Sequence, residues 1–371
     1  MRRRRRNEKP LQRRLMRFWW RFILVALLVY VGYSAWLGGA YRDVEPFVAG
    51  ECLPVDAPAG PEDLVMLPDG SAAIVSAQDR RDRSAPGALW YYDLRETPGR
   101  FTRLETPGSF PFHPHGIALY RAHDGQIFLQ VINHRSEDRH TVEIFTLQAG
   151  DGGVPLLHHR GSVASGLFVH PNGIAAAGPE AFYLTNDRGS GPRWMHMVEN
   201  LLQLTRSNVI YHDGRGARVV AEDIAFANGV ELSADGGTLL VGSTLWRMML
   251  TYARDPRSGA LVRNGSLAMP GGVDNIHRDA AGDLWAAVHV NSFAFIGHAR
   301  NAEKQAPSQV LRIGRDGRGS MRVQKAFGDP GGLLSAASTA AHHQGRVLIG
   351  AVFDNRILDC RIDPARMRDA G

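Results

Sequence analysis

The sequence predicts an all-β chain: a six-bladed β-propeller preceded by one N-terminal transmembrane helix. Three observations carry that expectation. Six phrases of one pattern recur between residues 60 and 353. The 371 residues include 41 Gly and 20 Pro, a density of turn formers that favours β structure over helical bundles. A single uncharged apolar run, residues 22–40, stands ahead of the first phrase. Hydrophobic content of 44% with 22% charged residues is that of a globular domain rather than a disordered chain.

The N-terminus comes first. Residues 1–21 carry ten Arg or Lys, among them Arg2, Arg3, Arg4, Arg5 and Arg6, and one acid, Glu8. The whole chain has a formal net charge of +6, so everything after residue 21 is mildly acidic. The basic signal belongs to a tail, and topology explains it without nucleic acid. Residues 22–40 (FILVALLVYVGYSAWLGGA) span roughly 28 Å as a helix, about one hydrocarbon core. Trp19, Trp20 and Trp36 sit near its ends, where amphipathic rings favour the membrane interface. The expected organisation is a basic cytoplasmic tail (1–21), a transmembrane signal anchor (22–40) and an exported propeller domain (41–371) on the periplasmic or extracellular side. The alternative is a cleaved signal peptide ending at Gly38-Gly39-Ala40, but the apolar run exceeds a usual signal core of about 7–15 residues. Export bears on Cys52 and Cys360, the only two cysteines. In an oxidising compartment they favour a bridge that joins the two ends of the domain; two buried thiols are the other reading.

The repeats follow. They read GPEDLVMLPDGSAAIVSA from Gly60, HPHGIALYRAHDGQIFLQVI from His113 and HPNGIAAAGPEAFYLTND from His170. FANGVELSADGGTLLVGST from Phe226, VDNIHRDAAGDLWAAVHV from Val273 and STAAHHQGRVLIGAVF from Ser338 complete the set. Each opens on a polar residue, continues as a short alternating apolar stretch, turns on Gly or Asp, and ends in an apolar run, the pattern of two strands joined by a hairpin. The phrases are spaced roughly 45–65 residues apart, room for four strands each. A pair of β-sandwiches is the competing arrangement.

In a propeller the innermost strands line a central channel, so the residue at one equivalent position of every repeat converges on the axis. Here those residues are Glu62 with Asp63, His115, Asn172, Asn228, and Asp274 with Asn275. Carboxylates and side-chain amides form an oxygen-donor cage, and oxygen donors suit Ca²⁺, which takes about 6–8 of them. The competing reading is that these residues open strands merely as turn formers.

At these positions the chain resembles the paraoxonase/arylesterase family of calcium-dependent six-bladed propellers. The phrases that carry the resemblance run from Cys52 to Cys360: PEDL at 61–64, PHGI at 114–117, VINH at 131–134, GPEAFYLTND at 178–187, FANG at 226–229, VDNI at 273–276, GDLW at 282–285 and LIGAVF at 348–353. The resemblance implies hydrolysis of lactones, acyl-homoserine lactones among them, and of aryl esters. It implies a catalytic calcium held by Glu62, Asn172, Asn228, Asp274 and Asn275, and a histidine pair, His115 and His134. Phe226 and His289 fall at the substrate pocket, and Cys52 and Cys360 at a closing disulfide. A second, structural calcium would use Asp63, the backbone carbonyl of Ile117 and an Asp that this sequence lacks, because Gly173 stands there. One calcium is therefore expected, with the second left short of a carboxylate.

The chemistry expected is attack of water on a calcium-polarised carbonyl. His115 is the proposed base and His134 its partner; a calcium-bound carboxylate such as Asp274 is the competing base. Other signals are weaker. His158-His159 and His342-His343 are adjacent on strands and point to opposite faces, so neither pair chelates easily. No Gly-x-Ser-x-Gly elbow, P-loop or dinucleotide fingerprint occurs. Residues 193–204 (RWMHMVENLLQL) read as a helix with a broad apolar face, either a lid for lipophilic substrates that touches the bilayer or a helix packed on the propeller. Residues 78–87 and 300–308 read as exposed loops. Two other functions compete: a gluconolactonase-like sugar lactonase, against which the apolar lid argues, and a non-catalytic calcium-stabilised binding module, which has no use for the histidine pair.

Overall fold

The structure is a computed structural model describing residues 8–82, 84–108, 110–315 and 319–370. The arginines at 2–6 lie outside the described residues. A long helix, α1 (Glu8–Leu37), leads into the propeller. Its segment Arg13–Leu37 is apolar and long enough to cross a membrane, a candidate anchor or signal sequence. The helix stops three residues short of the expected boundary at 40, where Gly39 takes a left-handed backbone (φ 73°).

Six antiparallel sheets of at least four strands follow. Blades 1 to 4 occupy residues 61–103, 114–164, 171–224 and 227–268 in simple chain order. Blade 5 (272–329) gains two short strands, Phe47–Val48 and Arg368–Asp369, on its outer edge. Blade 6 is assembled from both ends of the domain: Gly50–Asp56 pairs with Arg356–Ile362 as its outermost strand. That register sets Cys52 opposite Cys360, and the two are joined by a disulfide spanning 308 residues of sequence.

The apolar pattern explains why the sheets close into a ring. Each of the six hydrophobic clusters draws on two neighbouring blades. Leu64 and Tyr92 of blade 1, for example, meet Leu348 and Ile357 of blade 6. Blade 5 meets blade 6 through Trp285, Phe327 and Ile349. No blade buries its faces alone, and closure removes the open flank that the first and last blades would otherwise expose. Burying one such leucine contributes roughly 1.5–3 kcal/mol. The disulfide holds the closing blade. Replacing Cys52 and Cys360 together by Ser is expected to lower the melting temperature by roughly 10 °C, because the cross-link removes about 5 kcal/mol of unfolded-chain entropy. Thermal melts of the variant beside reduced wild type check this, and the two should agree.

The inner strands share a second feature. Every one is bulged against its neighbour at the polar residue that opens the repeat: Pro61/Asp63, Pro114/Ile117, Pro171/Ile174, Ala227/Val230, Val273/Ile276 and Ala337/Thr339. A bulge re-aims a side chain, and here it turns the leading polar residue of each repeat out of the sheet face. The glycine that follows it has a packing reason. A Cβ on Gly116 would stand 2.4 Å from the Asn172 carbonyl oxygen, one on Gly173 2.6 Å from that of Asn228, and one on Gly229 2.3 Å from that of Asp274. Blades 2, 3 and 4 thus each seat a bare glycine against the next blade's axial residue, which brings those axial side chains together.

Candidate metal centre and active site

The residues selected by repeat position come together on the axis and are buried: Glu62, Asn172, Asn228, Asp274 and Asn275 are all at most 6% exposed. Their amide nitrogens are tied back. Asn172 Nδ2 donates to Asp187 Oδ2 (3.3 Å), Asn228 Nδ2 to Thr244 Oγ1 (3.2 Å), and Asn275 Nδ2 to Glu62 Oε1 (3.2 Å). Three buried oxygens, Glu62 Oε2, Asn172 Oδ1 and Asn228 Oδ1, are left without a hydrogen-bond donor. Buried oxygens of this kind are costly unless something binds them.

The electrostatics agree. Burial raises the Asp274 carboxyl above its ordinary value, and the Glu62 charge adds to the rise against the opposing pull of His289. Burial acts upward on Glu62 too, but the neighbouring His115, Arg80 and Asn275 outweigh it and hold the carboxyl down at about 2. Two neighbouring carboxylates with three amide side chains and no thiolate form a donor set for a hard divalent cation. Among the described residues there is no cluster of three or more His, Cys, Asp or Glu side chains able to hold a metal. A cation on the axis would therefore depend on the asparagines.

A partner stands behind most axial residues, at the end of the second strand of the same blade. His134 stands behind His115, Asp187 behind Asn172, Thr244 behind Asn228 and His289 behind Asp274. Such partners fix the orientation of groups that hold a metal or move a proton. His289 Nε2 lies 2.7 Å from Asp274 Oδ2, and its ring meets Phe295 at 4.3 Å between centroids. His289 is itself buried and orients an axial carboxylate. Phe226 immediately precedes the blade 4 inner strand with a left-handed φ of 57°, unusual for an aromatic residue, and the Arg188 guanidinium lies over its ring.

The histidines form a line. His115 Nε2 is 3.3 Å from Glu62 Oε2, and its Nδ1 is 2.8 Å from His134 Nε2. His134 Nδ1 in turn is 2.9 Å from His140 Nδ1. Burial, followed by the neighbouring His115 and His140, lowers His134 well below its ordinary value, so it is neutral near pH 7. His140 was missed in the sequence, although it pairs with His134 across a hairpin six residues long. Arg80 was missed too. It lies 3.8 Å from Glu62 and donates to the Pro114 carbonyl oxygen, and nothing in the repeat marks it. Asp187 and Thr244 were legible: they stand 15 and 16 residues after their asparagines in matching phrases.

Other histidines serve the scaffold. His159 reaches Glu143 (2.9 Å), His342 reaches Asp279 (2.7 Å) while stacked on Trp285, and His113 reaches Gln78 (2.7 Å).

The segment at 193–204 folds as α2 (Arg193–Leu202) with its polar side inward. His196 and Glu199 are buried, whereas Trp194, Met197, Leu201 and Leu202 face out. Its apolar face therefore does not pack on the propeller. A helix absent from the sequence expectation, α3 (Ser292–Arg300), carries exposed Phe293 and Ile296; the Asn291 side chain caps its start. α1 touches α2, with Tyr30 donating to the Leu201 carbonyl, and Gly38 just past its end accepts from Ser292 N of α3.

Comparison with known proteins decides the family. The arylesterase family profile matches residues 55–362, most of the chain. The chain belongs to the arylesterase family. It is 32% identical to serum paraoxonase/arylesterase 1 of Rattus norvegicus over 86% of its length and 91% of the relative. To serum paraoxonase/lactonase 3 of Homo sapiens it is 30% identical, over 87% and 92%. Among solved structures a luciferin-regenerating enzyme superposes with a TM-score of 0.52 at 13% identity, covering 86% of this chain and 97% of that one, a likeness of fold. This arylesterase-family chain carries the histidine phrases PHGI and VINH at blade 2.

Proposed function

We propose that this chain hydrolyses lactones, acyl-homoserine lactones among them, and aryl esters at the axial site, with one resident calcium. The observation that carries the reading is the set of donor-less buried oxygens on Glu62, Asn172 and Asn228 beside the His115–His134 pair. The relatives named for paraoxonase, arylesterase and lactonase activities support the same class. Glu62, Asn172, Asn228, Asp274 and Asn275 hold the ion. When bound, calcium polarises a substrate carbonyl and stabilises the charge that develops on its oxygen.

The chain's own groups do the rest. With His134 as the Nε2–H donor to His115 Nδ1, 2.8 Å away, the His115 Nε2 lone pair beside Glu62 is the one that takes a proton. His140 Nδ1–H donates to His134 Nδ1 and fixes that tautomer. His115 then accepts a proton from water as it attacks, and returns it to the departing alkoxide. Phe226 and His289 line the pocket. The exposed apolar side of α2, beside a membrane-anchoring α1, supports lipophilic substrates, while the basic N-terminal tail and the Cys52–Cys360 disulfide support a propeller on the periplasmic or extracellular side.

The test is a substrate comparison on the full chain in detergent: phenyl acetate, a long-chain acyl-homoserine lactone and gluconolactone. Turnover of the first two well above that of gluconolactone is expected. Preference for gluconolactone would move the chain to sugar-lactone hydrolysis, and turnover of none would leave a binding module.

A further inference from the structure

Asp63 differs from Glu62 because the chain itself supplies donors to both of its oxygens. Its Oδ1 accepts from Leu64 N (2.9 Å), His277 Nε2 (2.7 Å) and Thr339 Oγ1 (3.2 Å), and its Oδ2 accepts from Ile117 N (2.8 Å). These donors come from blades 1, 5, 6 and 2 in turn, so the carboxylate is a hub for four of the six blades. Neither of its oxygens is among the buried atoms left without partners, in contrast to Glu62 Oε2. It is the N–H of Ile117, on the inner strand Pro114–Arg121, that points at Asp63.

The residues that would complete a second cation site are not there. Gly173 brings no side-chain oxygen, and its surroundings leave no room for a side chain. A Cβ at 173 would stand 2.6 Å from the Asn228 carbonyl and 3.1 Å from Thr185 Oγ1. Thr185 fills that space by donating to the Asn228 carbonyl at 2.6 Å and accepting from Gly173 N at 2.9 Å. A calcium ion beside Asp63 would find one carboxylate already engaged, where it takes about 6–8 oxygens. His277, on the inner strand Gly272–Arg278, already stands against Asp63, with its Nε2 2.7 Å from Oδ1.

We propose that the His277 imidazole takes the place of a second cation: the propeller holds one calcium, and the position beside Asp63 is closed by the chain's own Asp63–His277 bond. The inference rests on the axial calcium of the preceding reading. It implies that the blades are pinned at this point by a link that survives chelation, whereas the Glu62 site is not.

Equilibrium dialysis of the full chain against saturating calcium, with the metal content measured, tests both. One calcium per chain is expected. Two would overturn the inference and leave the axial site intact; none would remove the axial calcium and the inference with it. His277→Ser supplies a second readout. Its melting temperature is expected to fall by at least about 5 °C, and by the same amount in calcium and in chelator. An unchanged melting temperature, or a fall seen only in chelator, would overturn the proposal. If the variant fails to fold, the stoichiometry of the wild type still decides.

Discussion

Glu62→Gln is expected to lower ester and lactone turnover by about 10³-fold or more while leaving the propeller folded. Glu62 is buried, bonded to Asn275 across the axis, and presents an oxygen that no donor satisfies. The amide is nearly the same size and can still bond Asn275 through its oxygen, so packing changes little. What it lacks is charge. Removing one of two buried carboxylates weakens the hold on a divalent cation, and the residual activity should rise with added calcium. Calcium titration of the variant, followed by turnover and by protein fluorescence, checks both halves. Wild-type calcium affinity in the variant would remove Glu62 from the ligand set.

His115→Gln separates binding from chemistry. The expected result is a fall of about 10²–10³-fold in kcat, with calcium affinity and KM little changed. Glutamine keeps a hydrogen-bonding group near His134 but cannot take a proton. The competing base is Asp274, oriented by His289 at 2.7 Å. If Asp274 is the base, His115→Gln should keep activity within a few-fold and preserve the pH–rate profile of the wild type. A fall in kcat together with a flattened acid limb assigns the step to His115.

Much of the fold is legible in the sequence because a propeller repeats. The phrase spacing identifies six blades, and the leading polar residue of each phrase is the one that the inner-strand bulge turns to the axis. The glycine after it is legible as well, once its close approach to the next blade's carbonyl is seen. What escaped the sequence is what does not repeat. Arg80 reaches Glu62 from a loop, and His277 reaches Asp63 across the channel from blade 5. Both are contacts between distant segments with no counterpart in the other phrases. α3 escaped for a different reason: its nine residues are too few to show a helical period, and Phe293 and Ile296 face outward while Phe295 packs on His289. For α2 the period is clear, but the pattern alone does not say that the apolar face looks out; only the burial of His196 and Glu199 does.

The central claim is that hydrolysis depends on a cation held by the axial oxygens. Its most direct test is turnover of phenyl acetate and a long-chain lactone by the full chain, first with calcium, then after chelation, then after calcium is restored. Both activities should disappear together on chelation and return together on re-addition, with the disulfide-closed propeller still folded throughout. Activity that ignores the chelator would contradict the account.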